Sequence, residues 1–465
     1  MRFFEMSKKL LFSALAAGAA LVLSACGGDS GDDPSPVTPP MSSAVTPVPT
    51  SSATTNPTTQ TYGILATTAN QNAALNWYAT WKATYYKSYV EESQLYPILA
   101  SDWTAVFGTY VASGMYPARI IWDTQNDSYC VIDECNNNYK KRGCTVSEGI
   151  GYGMLITLFA GDLEAFNSLW YYNKGYREYQ SKNLMPWKTG TFSYESLSAP
   201  ANSSSATDAD LDIATSLVLA YYATGNVAYL NDALLVITAI WDNEISPTGM
   251  IYSGDMATWK QATSAYNLSY FSPIAIKLFA LVDQNHPWKN VLDKMYEYML
   301  AVQAAGTGVF PDWTDVNGAA VNPKNGSADK TYWQFFHESV RIPWRIAWDY
   351  YWTQDTRALQ VLTTLNNFIS TKSSGDPANL QTTGKVMYSA VAGMADGSTN
   401  SLMPNWHGAW CLTGMGGNQA WLDKCVTAFN QSTMTGFSYF PHILMTMYSE
   451  LLNGLFVKPS LLPAI

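Results

Sequence analysis

Down most of this chain a long apolar helical pattern is followed by a short polar turn and then by a second helical pattern, and the arrangement returns about every 60 residues. Glu148–Ala160 leads through Gly161-Asp162 into LEAFNSLWYY. Asp208–Ala223 leads through Gly225-Asn226 into VAYLNDALLVITAI. Ser269–Val282 leads through Asp283–Asn285 into a helix from Pro287, and Phe335–Trp352 through Asp355 into TRALQVLTTLNNFI. Further on, Gly416-Gly417-Asn418 precedes QAWLDKCVTAF. Each junction supplies a helix-ending glycine or polar turn, then an Asp or Asn suited to cap the next helix. The first helix of a pair, such as DADLDIATSLVLAYYAT, is apolar nearly all round and belongs inside; its partner is more amphipathic and belongs outside. About six such hairpins fit the chain. The pattern predicts an all-α fold, an (α/α)6 barrel or toroid of six inner and six outer helices.

The barrel does not occupy the whole of the 465 residues. Arg2, Lys8 and Lys9 precede an apolar run, Leu10 to Leu23, that is too short to span a bilayer. It ends in Leu23-Ser24-Ala25-Cys26, which resembles a bacterial lipobox. Residues 1–25 are therefore expected to be a lipoprotein signal peptide, and Cys26 the site of lipidation. Gly27 and Gly28 follow, with no Asp in the second position, so the expected location is the cell envelope, lipid-anchored at the outer membrane or cell surface. The alternative is an ordinary secretory signal and release. Residues 26–60, rich in Pro, Ser and Thr, cannot bury enough apolar surface to fold and read as a tether. Residues 61–465 remain for the folded domain, expected to be a monomer. A net charge of −10 excludes a phosphate backbone as partner, so no nucleic acid is expected.

Five cysteines lie in the domain. Cys411 and Cys425 are suited to bridge, as an exported protein allows. Cys130, Cys135 and Cys144 crowd one segment; two of them can pair and leave one free. A zinc site is disfavoured there because no CxxC spacing and no nearby His supports it. No metal and no cofactor are expected.

The stretch SEGIGYGM, Ser147 to Met154, begins an apolar helix yet places glycines at 149, 151 and 153. Each costs about 1 kcal/mol against alanine inside a helix, so something must approach this backbone closely: a bound chain or a neighbouring inner helix. Glu148 stands at its mouth. Asp208, Asp210 and Asp212 open the next inner helix, and Glu338 lies near the start of the fourth. Singly, such acids are helix caps or dipole partners, and Glu338 is within reach of Arg341 or Arg345 on its own helix. In a toroid, however, these helix ends can converge on one face.

ATDADLDIATSLVLAYY (Ala206–Tyr222) resembles the signature of glycoside hydrolase family eight, and SEGIGYGM resembles that family's general-acid segment. LSYFSP (Leu268–Pro273), FPDW (Phe310–Trp313) and VRIPWRIAWDY (Val340–Tyr350) are similar to its other motifs and stand in the same order over roughly residues 70 to 455. The resemblance implies an (α/α)6 barrel that hydrolyses β-1,4-linked polysaccharide with inversion and without a metal. It implies that Glu148 is the general acid and that Asp208 holds the sugar at the point of cleavage, with Asp210 a second candidate contact. Tyr270 matches an aromatic near the reaction centre and Arg341 a partner of the base. Glu338 falls where many members carry Asp as the general base; this chain departs from them by one methylene. Asp312 and Asp315 are the next candidates for the base.

The chemistry is coherent on its own terms. Inversion needs one carboxylic acid to protonate the leaving oxygen and one carboxylate to activate water, about 6.5–9.5 Å apart. The acid must stay protonated near neutrality, through burial or neighbouring negative charge. The 17 Trp and 30 Tyr supply flat faces for sugar rings. Of Trp187, Trp313, Trp344 and Trp406, the first and second sit in loop-like segments and are the expected substrate contacts. Together with the resemblance these features imply an endo-acting glycanase, and VRIPWRIAWDY, more similar to the family's glucanases than to its xylanases, implies cellulose or mixed-linkage β-glucan as substrate. Xylan and chitosan are alternative substrates, and a non-catalytic glycan-binding surface lipoprotein is an alternative of another class.

Overall fold

The computed structural model describes residues 63–95, 99–122, 144–189, 204–261, 264–323, 333–394, 404–432 and 438–465. The signal segment, Cys26, the tether, Cys130 and Cys135 lie outside the described residues. In chain order come α1 (Gln71–Tyr85), β1 (Tyr86–Ser88), α2 (Tyr89–Leu95), α3 (Leu99–Ala112), β2 (Ala118–Ile120), β3 (Thr145–Val146), α4 (Ser147–Phe159), α5 (Leu163–Tyr179) and β4 (Lys188–Thr189). Then follow α6 (Thr207–Thr224), α7 (Val227–Glu244), α8 (Pro273–Val282), α9 (Trp288–Ala305), α10 (Ile342–Thr353), α11 (Thr356–Lys372), α12 (Ala378–Thr383), α13 (Pro404–Leu412), α14 (Gln419–Asn430) and α15 (Tyr439–Leu452).

Six of these close a ring. α4 packs on α6, α6 on α8, α8 on α10, α10 on α13, α13 on α15, and α15 back on α4. Each has an outer partner: α5, α7, α9, α11 and α14 pack against α4, α6, α8, α10 and α13 in turn, and α1 packs against α15. This is the (α/α)6 barrel that the spacing predicts. Burial follows the inner and outer assignment. Every residue of α6 from Thr207 to Ala220 is buried. The outer α11 buries only a stripe, Ala358, Val361, Leu362, Leu365, Asn366 and Ile369, the spacing of one helix face. The turns between partners work as their chemistry requires: Asp162, Asn226, Asp355 and Asn418 accept backbone N–H groups at the starts of α5, α7, α11 and α14.

Two inner helices start later than expected, and proline is the reason. α8 begins at Pro273 and α10 has Pro343 in its first turn; proline has no N–H to donate and is favoured in a first helical turn. The residues ahead of each form 3-10 turns instead, Leu268–Tyr270 and Ser339–Arg341. Tyr270 and Glu338 therefore stand on irregular backbone in front of the barrel helices, not on the helices themselves. β3 and β4 pair antiparallel, Thr145 with Thr189 and Val146 with Lys188, which seats the start of α4 beside the segment carrying Trp187. Cys411 and Cys425 form the expected disulfide, and Cys144 is also disulfide-bonded.

The α4 glycines are contact positions between elements of the barrel. A β-carbon on Gly151 would stand 3.0 Å from Asp212 Cβ and 3.1 Å from the Ala209 carbonyl oxygen, so α4 and α6 touch there backbone to backbone. On Gly153 it would meet Ile120 and Leu169 side chains at 3.0 and 3.1 Å. We expect Gly151→Leu to force α4 off α6 and to lower unfolding stability by about 1–3 kcal/mol or more, as overpacking does, against the gain of about 1 kcal/mol that helix propensity alone would predict. Urea unfolding followed by circular dichroism checks it.

Candidate active site

The N-terminal ends of the inner helices meet at Arg341, the last residue of the turn before α10. Its Nη1 donates to Glu148 Oε2 at 2.8 Å, Asp208 Oδ2 at 2.9 Å and Tyr152 Oη at 3.2 Å. Its Nη2 donates to Glu338 Oε2. Glu148 comes from α4, Asp208 from α6 and Glu338 from the turn itself, so one guanidinium gathers three carboxylates from three parts of the barrel. The Glu148 and Asp208 oxygens share a single nitrogen and so lie within about 6 Å of one another, a charge-assisted arrangement. Arg341 is 3% exposed, Asp208 3%, Glu148 19% and Glu338 29%. The cation and one carboxylate are sealed below, and the other two carboxylates reach solvent.

Each carboxylate is held by further donors. Tyr439 Oη, from the start of α15, donates to Glu148 Oε1 at 3.1 Å. Gly149 makes room for it: a β-carbon there would sit 2.8 Å from that hydroxyl. Asn267 Nδ2 donates to Glu338 Oε2 at 2.7 Å, and Glu338 Oε1 takes no protein donor among the described residues. Arg341 also lies over the Tyr270 ring, 5.5 Å from its centroid, a favourable site for a cation.

Electrostatics separate the acids. Burial pushes the Glu148 carboxyl up to about 7; Arg341 pulls it down, and the charges of Asp208 and Glu338 push it up again. Burial likewise raises Asp208 against the pull of Arg341 and Arg345. Arg341 stays protonated because the surrounding groups outweigh its burial.

The other expected site residues do not hydrogen-bond to Arg341. Asp210 is fully buried, with Oδ1 accepting the Met185 N–H at 3.0 Å, and is not part of the Arg341 cluster. Asp212 is bound by Arg345 through both oxygens, at 2.6 and 2.8 Å. Asp312 is buried, and its Oδ1 accepts the backbone N–H groups of Phe336, Glu338 and Ser339 and the Ser339 hydroxyl, which fixes the turn that carries Glu338. Asp315 accepts N–H groups of Asn317 and Ala319 within its own loop. Trp187 is 45% exposed. Trp313 is 9% exposed; it stacks on Trp259 with ring centroids 5.8 Å apart and meets Tyr270 edge-on at 6.4 Å. Trp344 and Trp406 are fully buried, with Trp344 stacked on Trp348.

Sequence reasoning missed Tyr439, Asn267, Tyr152 and Trp259. Tyr152 lies one helical turn after Glu148, a spacing that places both on one face; Asn267 immediately precedes LSYFSP. Nothing local marks Tyr439, 291 residues from Glu148.

Residues 122–448 match the description Glycosyl hydrolases family 8, and the chain belongs to that family as a glycoside hydrolase. A β-glucanase of Niallia circulans is 30% identical over 346 residues, 68% of this chain and 83% of that protein. Endoglucanase C of Ruminiclostridium cellulolyticum is 34% identical over 228 residues, 48% of this chain and 46% of that protein. An apo β-1,3-1,4-glucanase from Paenibacillus sp. X4 superposes with a TM-score of 0.64 at 25% identity, over 86% of this chain and 97% of that one. Rex8A from Paenibacillus barcinonensis, complexed with xylose, shares the fold at a TM-score of 0.58 and 17% identity, over 77% of this chain and 92% of that one.

The contact between Gly149 and Tyr439 generates an expectation. Gly149→Ala should push the Tyr439 hydroxyl from Glu148 and lower kcat by about the same factor as Tyr439→Phe, tenfold or so for one lost hydrogen bond to a charged group. The double variant should be little worse than either single one. Steady-state kinetics on the three proteins measures this.

Proposed function

We propose that the protein is an endo-acting, inverting β-1,4-glycanase whose substrate is a β-glucan, cellulose or mixed-linkage. The observation that carries the reading is the single guanidinium of Arg341 beneath three carboxylates at the mouth of the barrel. Glu148 is the general acid. Its Oε2 is occupied by Arg341, so the proton to be donated sits on Oε1, beside the Tyr439 hydroxyl. Glu338 is the general base: Arg341 and Asn267 hold Oε2, and Oε1 is left to take a proton from water. Because Glu148 and Glu338 touch one guanidinium, both carboxyls face the same space at the barrel mouth; inversion calls for about 6.5–9.5 Å between them, room for an attacking water. Asp208, paired with Arg341, pushes the Glu148 carboxyl further up and would accept a hydrogen bond from a sugar hydroxyl. Tyr270 lies beside the reacting groups, exposed Trp187 offers a ring face to a sugar, and Trp313 backs both Tyr270 and Trp259.

Glucan is favoured because the relatives named above include a β-glucanase, an endoglucanase and a β-1,3-1,4-glucanase. The xylose-bound structure of similar fold supports xylan as a second reading. On a panel of cellulose, mixed-linkage glucan, xylan and chitosan, reducing-sugar release should be fastest on one of the glucans. Glu148→Gln should lose about 10²–10⁴ of that rate while binding the glucan nearly as well. Glu148 is protonated below its value of about 7 and loses its proton above it, so kcat/KM of the wild type should fall as pH rises through about 7.

The base makes a separate expectation. Glu338→Ala should lose turnover, and azide should restore it by attacking from the face the water would use, giving the glycosyl azide of inverted configuration. Activity that survives the substitution without azide would exclude Glu338.

A further inference from the structure

Asp210 and Glu244 stand apart from the Arg341 cluster and are both fully buried. Asp210 Oδ1 accepts the Met185 N–H at 3.0 Å, and Glu244 Oε1 accepts the Ser205 hydroxyl at 2.5 Å. The other two oxygens, Asp210 Oδ2 and Glu244 Oε2, have no donor among the described residues, although the two carboxyls lie within hydrogen-bonding reach of each other. Two ionised carboxylates in this position would repel, and a buried oxygen without a donor is destabilising. The charged groups that bear on the pair are Arg177, bound by Asp232, and Asp255, bound by Lys182. Neither cation donates to Asp210 or Glu244. The Thr207 hydroxyl bears on Glu244 and not on Asp210, so the donor that satisfies both orphaned oxygens is a proton held between them.

What the pair grips leads to the site. Met185 is two residues before Trp187; the Trp187 N–H donates to Ser204 O at 2.8 Å, and Trp187 O accepts from the N–H of Ser147, the residue before Glu148, at 2.9 Å. Ser205 lies two residues ahead of α6, which carries Asp208. We propose that Asp210 and Glu244 share one proton and act together as positioning residues, pinning the Met185–Trp187 segment and the approach to α6 so that Trp187, Glu148 and Asp208 keep their places.

The sharing makes stability pH-dependent. Burial, then the charge of Asp255, pushes Glu244 up to about 8, and burial, then Glu244, raises Asp210 well above the carboxylate range. In the unfolded chain both carboxyls ionise near pH 4, whereas the folded pair keeps the one proton it shares. Between about pH 4 and pH 8 the folded protein therefore holds more protons than the unfolded one. The contribution of the pair is complete below pH 4 and is lost as pH rises towards 8.

Glu244→Gln separates this from ordinary packing. The amide Nε2 can donate to an ionised Asp210 while Oε1 still accepts from Ser205, so the contacts persist without a titrating proton. We expect Tm of the variant minus Tm of the wild type to rise between pH 5 and pH 8, by about 2–4 °C, with kcat/KM at pH 6 within about twofold of wild type. Glu244→Ala, which frees both Ser205 and Asp210, should raise KM at least fivefold. A Tm difference that stays flat from pH 5 to pH 8 overturns the shared proton. Wild-type kcat and KM in Glu244→Ala overturns the positioning role. If Glu244→Gln fails to fold, Asp210→Asn, whose amide donates towards Glu244, is read by the same Tm difference. The KM arm rests on the glycanase reading; the Tm arm uses no substrate and stands without it.

Discussion

Three carboxylates cannot crowd one end of a barrel unless a cation stands among them, and Arg341 is that cation. Its planar fork presents separate nitrogens, so Nη1 serves Glu148 and Asp208 while Nη2 serves Glu338. A lysine ammonium is a single point and could not hold the three in the same relation. Removing one partner from a buried ion pair such as Arg341–Asp208 typically costs about 3–5 kcal/mol, so the cluster ties α4, α6 and the turn before α10 together. Asp312 secures the turn from behind by capping its backbone.

The same arrangement recurs deeper in the barrel. Arg345, one helical turn beyond Arg341, binds Asp212 with both nitrogens and donates Nε–H to Ser269 O at 2.8 Å. Towards the far end, Lys277 binds Asp349 at 2.7 and 2.9 Å. Inner helices that are buried on every side have no solvent in which to leave a charge, so these charges find their opposites on another inner helix. These pairs need the helices close, and glycine at 151 lets α4 and α6 approach to backbone contact beside Asp212.

Glu148 and the Asp210–Glu244 pair share a physical origin: burial disfavours the ionised form. At Glu148 an arginine opposes that push and leaves the carboxyl poised near neutrality. At Asp210 and Glu244 no cation among the described residues is in contact, and the proton stays. Two residues apart on one helix, Asp208 and Asp210 thus meet opposite solutions, because Asp208 faces Arg341 across the barrel mouth and Asp210 faces the end of α7.

The sequence by itself determined the local terms. The 60-residue period, the Asp and Asn caps and the all-round apolarity of α6 each depend on neighbours a few positions away, and the barrel could be read from them. The ordered motifs likewise carried Glu148, Asp208, Arg341 and Glu338 to one face. Tertiary structure decided what depends on partners far along the chain. It paired α1 with α15 to close the ring, through contacts such as Asn70 N–H to Asn453 Oδ1, 383 positions apart. It brought Tyr439 to Glu148 and Asn267 to Glu338. It turned Asp210 away from the cleft, and it put Trp344 and Trp406 in the core while leaving Trp187 in solvent. The reason is that a helix pattern specifies which face is buried but not which side chain meets it there. A carboxylate on a buried helix end becomes an acid, a salt-bridge partner or half of a proton-sharing pair according to the residue that arrives opposite.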